Sequence, residues 1–297
     1  MNLTQEENEL CSAIGFDPAV LDLVRSNTGA TPQRLVGITE DDEEVPVDGL
    51  SFDVRRDDVE GLLRQLQPVL GPMGYRAFWS ERRLTSGMAA GDELAILKTA
   101  DPYAILHARQ TDGANYGVFL PDILARLDAW KSICQFEVVG AASDWVALTF
   151  LTLPPELCAF AEEIYSFCPD SVEQGIGLVR EHDDPQLYAR ARTICPEYTS
   201  RTPQAAGKSH AQTVADEIRS MFGPKADELT TVFGFMSPDE VRSMLGQRDL
   251  EQPDEDPKNL KRLGSDIDDP VLALVEMGIR LLAAEIERSR YLFLWWD

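Results

Sequence analysis

The stretch FEVVGAASDWVALTFLTL, Phe136 to Leu153, decides the fold class. It reads as two apolar runs rich in β-branched and aromatic side chains, with the small polar step Ala142-Ser143-Asp144 between them. Runs of this kind favour strands. Two strands joined by so short a step are antiparallel neighbours, because parallel neighbours need a long crossover. A hairpin among helices points to an α+β protein rather than a doubly wound one. No segment carries the glycine-rich turn of a dinucleotide fold.

Outward from this pair, the upstream chain alternates strands and helices. Ile123, Leu124, Leu127 and Trp130 recur at helical spacing, which predicts a helix over 121–133. YGVFLP, from Tyr116, reads as a brief strand, and TDGAN, from Thr111, closes a short helix that Asp101-Pro102 opens. ELAILKT, YRAFWSER and LSFDV read as further strands. Asp57 and Glu60 are expected to cap a helix ending near Leu70, before the turn GPMG. Glu40 to Glu44 forms a solvated acidic turn between strands. Nearer the start, Thr4 with Glu7 is a capping-box pattern, and Asp17-Pro18 is an N-cap followed by proline at the first helical position. Val20, Leu21 and Val24 then share one helix face.

Downstream, PPELCAFAEEIYSF predicts a helix with proline in its first turn. From Glu181 the chain becomes polar and proline-punctuated, with helical patterns at 209–222, 226–233 and 237–246 and an acidic linker over 251–262. Asp269-Pro270 opens a long apolar helix, and YLFLWWD reads as a last strand returning to the sheet. The expected architecture is a mixed or antiparallel sheet with flanking helices, closed by that C-terminal strand. A core domain of 1–180 plus 287–297 would carry a helical insertion over 181–286.

Charge narrows the function. The 297 residues hold 51 acidic and 27 basic side chains, a formal charge of -24. Such an excess repels phosphate backbones and anionic lipid heads. It predicts no nucleic acid bound through a basic surface, no membrane association, and attraction to a basic protein. The first residues, MNLTQEENEL, lack the basic and apolar regions of a signal peptide, so a cytoplasmic protein is expected. The five cysteines, Cys11, Cys134, Cys158, Cys168 and Cys195, are scattered, odd in number and never spaced C-x-x-C. They argue against a zinc ribbon or a disulfide framework, and for buried thiols in a reducing compartment.

No metal or cofactor is expected. AAGKS at 205–209 has Thr202 where a phosphate loop needs glycine. The acids around Asp254 and Asp256 have Asn259 and Ser265 where a calcium loop needs glycine and a carboxylate. The three histidines, His107, His182 and His210, are far apart in sequence. The densest polar stretch is AEEIYSFCPDSVEQGIG, Ala161 to Gly177. As an enzyme site it would use Cys168 as nucleophile at a helix start, His182 as base and Asp170 as orienter. As structure, Cys168-Pro169 ends one helix, Asp170 caps the next and Glu173 completes the box. The structural reading is the simpler. As a binding surface the residues are Asp112, Asn115, Tyr116, Asp144, Trp145, Glu173 and Gln174.

NYGVFLPDILARLDAW, GAASDWVALTFLTLP, FAEEIYSFCPDSVEQGIG and LFLWWD, taken in order, resemble an uncharacterised bacterial family, the domain of unknown function 4253. ILKTADPYAILHARQTDGANYG also resembles it. The likeness covers about residues 50–180 and the last few. The long stretch between is a departure, since members pass from the Gln-Gly segment to the last strand in far fewer residues. The resemblance implies that Thr111, Asp112, Gly113, Asn115, Tyr116, Asp144, Trp145, Tyr165, Cys168, Pro169, Asp170, Gln174, Gly175, Trp295, Trp296 and Asp297 occupy motif positions. The family brings no established activity, so no catalytic residue carries over. Its members look like small acidic partners of bacterial toxins. The leading expectation is therefore a binding protein, an immunity-type neutraliser of a basic toxin or another regulatory partner. The alternatives are an enzyme using the FCPD and TDGxNY segments, or a structural subunit.

Overall fold

The computed structural model of the chain describes residues 3–41, 43–81, 92–172, 185–195 and 270–296. The expected helices at 209–222, 226–233 and 237–246 and the acidic linker lie outside the described residues. The chain divides into two compact units, Met1–Leu151 with Trp296–Asp297, and Thr152–Trp295.

The first unit opens with two helices, α1 (Gln5–Ile14) and α2 (Pro18–Thr28). Thr4 and Glu7 cap each other's backbone as expected, and Asp17 accepts from Ala19 N. These signals were readable because both partners lie within one turn. A hairpin follows, β1 (Gln33–Ile38) and β2 (Glu44–Val54), then α3 (Arg56–Leu70), β3 (Tyr75–Glu81) and β4 (Asp92–Lys98). Next come α4 (Ala104–Arg109), α5 (Leu120–Lys131), β5 (Gln135–Ala141) and β6 (Trp145–Thr152). In the second unit α6 (Leu157–Phe167), α7 (Pro185–Ile194) and α8 (Pro270–Ser289) precede β7 (Tyr291–Trp295).

The protein is α+β. Its seven strands form one mixed sheet in the order β1-β2-β4-β3-β5-β6-β7. β1–β2, β2–β4 and β3–β4 are antiparallel, and β3 meets β5 in parallel with Trp79 opposite Gly140. The terminal strand belongs to the sheet, but the sheet is open, not closed. A Cβ on Gly140 would lie 2.7 Å from Trp79 O, so the close approach of β5 to β3 requires glycine there.

The two-residue period of β4 sorts its side chains between faces. Leu94 and Ile96 join Val20, Leu21 and Val24 of α2, Leu50 and Phe52 of β2, and Leu66 and Leu70 of α3 in one core. Glu93, Ala95 and Leu97 face the opposite side. Phe78 and Ser80 of β3, opposite Ala95 and Glu93, share that side, whereas Trp79, opposite Leu94, lies on the first face and packs on Trp145 of β6 with ring centroids 4.5 Å apart.

Four local expectations change. α3 starts after Arg55, which makes no side-chain cap, so Asp57 is not its N-cap. YGVFLP is not a strand: it contains only the bridge partner Val118 of Gly113, and α5 begins at Leu120. Pro154 and Pro155 precede α6 rather than occupy its first turn. Cys158 and Cys195 form a disulfide, against the expectation of thiols throughout. The bond pairs cysteines 37 residues apart, a juxtaposition that only the packing of α7 creates.

Candidate functional site

The TDGANYG segment is held by backbone bonds from several directions. Gln110 adopts the left-handed conformation at φ 48 and turns the chain out of α4. Thr111 is buried and its Oγ1 donates to Ala142 O at 2.6 Å. Asp112 N donates to Ser143 O at 2.8 Å. Asp112 Oδ1 accepts from Ala114 N at 3.1 Å, the side-chain turn that aspartate favours. Gly113 and Val118 exchange two backbone bonds, at 2.7 and 3.1 Å. Gly117, at φ +67, completes the turn.

The chain terminus completes this arrangement. Trp296 N donates to Asp144 O at 3.0 Å, and its indole lies across Gly113. A Cβ at Gly113 would sit 2.5 Å from Trp296 Cγ, so only glycine admits the ring. The TDGANYG turn, the β5–β6 turn and Trp296 thus meet in one place.

Outward from this anchor the turn presents Asn115, which is exposed, Tyr116, 40% exposed, and, just beyond, Phe119, 53% exposed. Asp112 and Asp144 are half-buried beside them in the fold. Trp145 is buried and packs at a tilt against Trp79, so its indole serves the core. The structure therefore gathers Asp112, Asn115, Tyr116 and Asp144. Glu173, Gln174 and His182 lie outside the described residues. Carboxylates beside exposed aromatic faces suit a guanidinium or ammonium group, by charge-assisted bonding and by attraction to the ring face.

Cys168, in the second unit, ends α6 in a fully buried position. Its Sγ donates to Trp295 O at 3.0 Å. Burial pushes the thiol up to about 12, more than its bonds to Ser171 and Trp295 pull it down. A thiol held there stays protonated near neutral pH and is a poor nucleophile. Asp170 beside it is also fully buried.

Two buried polar groups escaped sequence reading. Arg109 forms an ion pair with Glu93, and both are almost fully buried. Arg109 Nε donates to Ser80 Oγ at 2.7 Å, and Arg109 Nη1 donates to Val36 O at 2.8 Å. Ser80 Oγ donates in turn to Ala141 O at 3.1 Å. One guanidinium thereby joins α4 to β1, β3 and β4. The available signal was Glu93 running directly into the apolar run Leu94 to Leu97 of β4. In the second unit Glu162 of α6 and Glu276 and Arg280 of α8 are buried. Burial raises Glu276 to about 7, with Glu162 adding to the rise and Arg280 opposing it.

Residues 93–195 match the family model described as a domain of unknown function, 4253. The resemblance read from the motifs holds over that span, which contains the TDGANYG, ASDW and FCPD segments. No curated protein and no solved structure matches the chain.

Proposed function

We propose that this chain, whose residues 93–195 match the model of that family, is a cytoplasmic binding protein for a basic partner protein, as an immunity protein is for a toxin. Asp112, Asn115, Tyr116 and Asp144 form its contact face. The observation that carries the reading is the acidic and aromatic turn held rigid by Thr111, Asp112, Gly113 and Trp296. A face fixed before contact loses little conformational entropy on binding. Tyrosine adds contact area with few rotatable bonds, and aromatic residues are enriched where binding energy concentrates. The charge of -24 favours encounter with a basic surface.

The test is capture of partners by the tagged full chain from its host at low and high salt, with mass spectrometry. A triple variant, D112N with Y116A and D144N, is run alongside, and melting temperatures are compared. The expected result is a basic, stoichiometric protein, released by salt and lost with the variant at unchanged melting temperature. A partner retained by the triple variant would overturn this face. No partner at any salt would overturn the binding reading.

A further inference from the structure

Cys158 stands in the first turn of α6 and Cys195 directly follows α7. The disulfide between them ties these helices together covalently. The two sulfurs are not equivalent. Cys158 is half-buried whereas Cys195 is 2% exposed, so an incoming thiolate reaches Cys158 first. The free cysteines, Cys11, Cys134 and Cys168, are all buried, and burial raises each thiol. They are poorly placed to compete for exchange. Ile194 O lies 3.3 Å from Cys158 Sγ, where it can accept the hydrogen of an opened thiol. The reduced form thus has a satisfied position for that group.

α7 also packs against α8, and the disulfide is its covalent tie to α6. Leu187 and Ala191 are buried, and Arg190 pairs with Glu287 of α8 near the surface. An exposed pair of this kind adds little.

We propose that the Cys158–Cys195 disulfide is a reversible clasp, opened at Cys158 by low-molecular-weight thiols, and that its opening loosens α7. A thiolate attacks Cys158 Sγ and forms a mixed disulfide there. The Cys158–Cys195 bond breaks, and its electron pair leaves on Cys195 Sγ, which takes up a proton. A second small thiol attacks the sulfur of the first and releases Cys158 as a thiol. The net change oxidises two small thiols to their disulfide and reduces the clasp.

The experiment uses the full chain purified without reductant and titrated with reduced glutathione at millimolar levels. Alkylation and intact mass count the thiols, and limited trypsin digestion reports cleavage after Arg190 and Arg192. The expected count rises from three thiols to five. Cleavage at those arginines should rise roughly tenfold as the closed state loses its advantage. A C195S variant given glutathione disulfide should take the glutathione adduct on Cys158, with one reduced glutathione leaving, and digest like the reduced protein. Five thiols in the protein as purified, a bond that resists millimolar glutathione, or unchanged cleavage after reduction would each overturn the proposal. The wild-type comparison with and without glutathione stands even where the variant fails to fold.

Discussion

At the residue scale, buried charge sets the sharpest expectations. Arg109 is held among Glu93, Ser80 and Val36 O, so replacing it with methionine strands the Glu93 carboxylate without its counterion. Breaking a buried pair from one side costs about 3–5 kcal/mol, whereas replacing both partners with apolar groups can be neutral. R109M should lower stability by that amount in urea unfolding, and R109M with E93L should recover most of it. Glu276 makes a pH-dependent contribution of definite sign. Its folded value, about 7, lies above the ordinary 4.5. Between these values the folded state binds more protons than the unfolded state, so this group's contribution falls as pH rises and is lost above about 7. E276Q should flatten the stability profile over that window. It should gain about 3 kcal/mol on wild type above it, on the conversion of a pKa shift to free energy. A profile as steep in E276Q as in wild type would remove Glu276 as its source.

At the element scale, the fold depends on how segments far apart in sequence fasten one another. Trp296 covers Gly113 and bonds to Asp144 O. W296A removes a buried aromatic and should cost about 3–5 kcal/mol in thermal or urea unfolding. An unchanged melting point would show that the terminus is dispensable. Breaking the disulfide in C158S should cost about 2–4 kcal/mol, because the bond closes a long loop in the unfolded chain. These elements also show what a sequence can disclose. The caps at Thr4 and Asp17 were legible because donor and acceptor lie within a turn of each other. The hairpin at Ser143 was legible because strand period and turn residues agree. YGVFLP misled because its apolar residues suit a strand, while the paired bonds of Gly113 and Val118 leave only a bridge. The cluster of Asp112, Asn115, Tyr116 and Asp144 was visible as residue types. Its anchoring by Trp296, the disulfide, and the Glu93–Arg109 pair all depend on contacts across 37 residues or fewer in some cases and most of the chain in others, with no local pattern to announce them.

At the scale of the whole molecule, the charge of -24 acts on folding and on binding in opposite senses. Folding brings carboxylates together, and their mutual repulsion opposes the compact state. Salt shortens the reach of that repulsion, from about 10 Å at 0.1 M to about 3 Å at 1 M. The melting temperature should therefore rise as sodium chloride is added from low concentration. The same screening removes the attraction that steers a basic partner to the surface, so the association rate should fall over the same range. Dissociation should change less, because it is governed by the contacts at Asp112, Tyr116 and Asp144 once water has left them. Stopped-flow association and thermal scans in one salt series test both effects together. A melting point that rises while association stays constant would mean that self-repulsion is real but steering is absent. The partner would then be recognised by shape and the aromatic face of Tyr116, and the acidic surface would serve solubility alone.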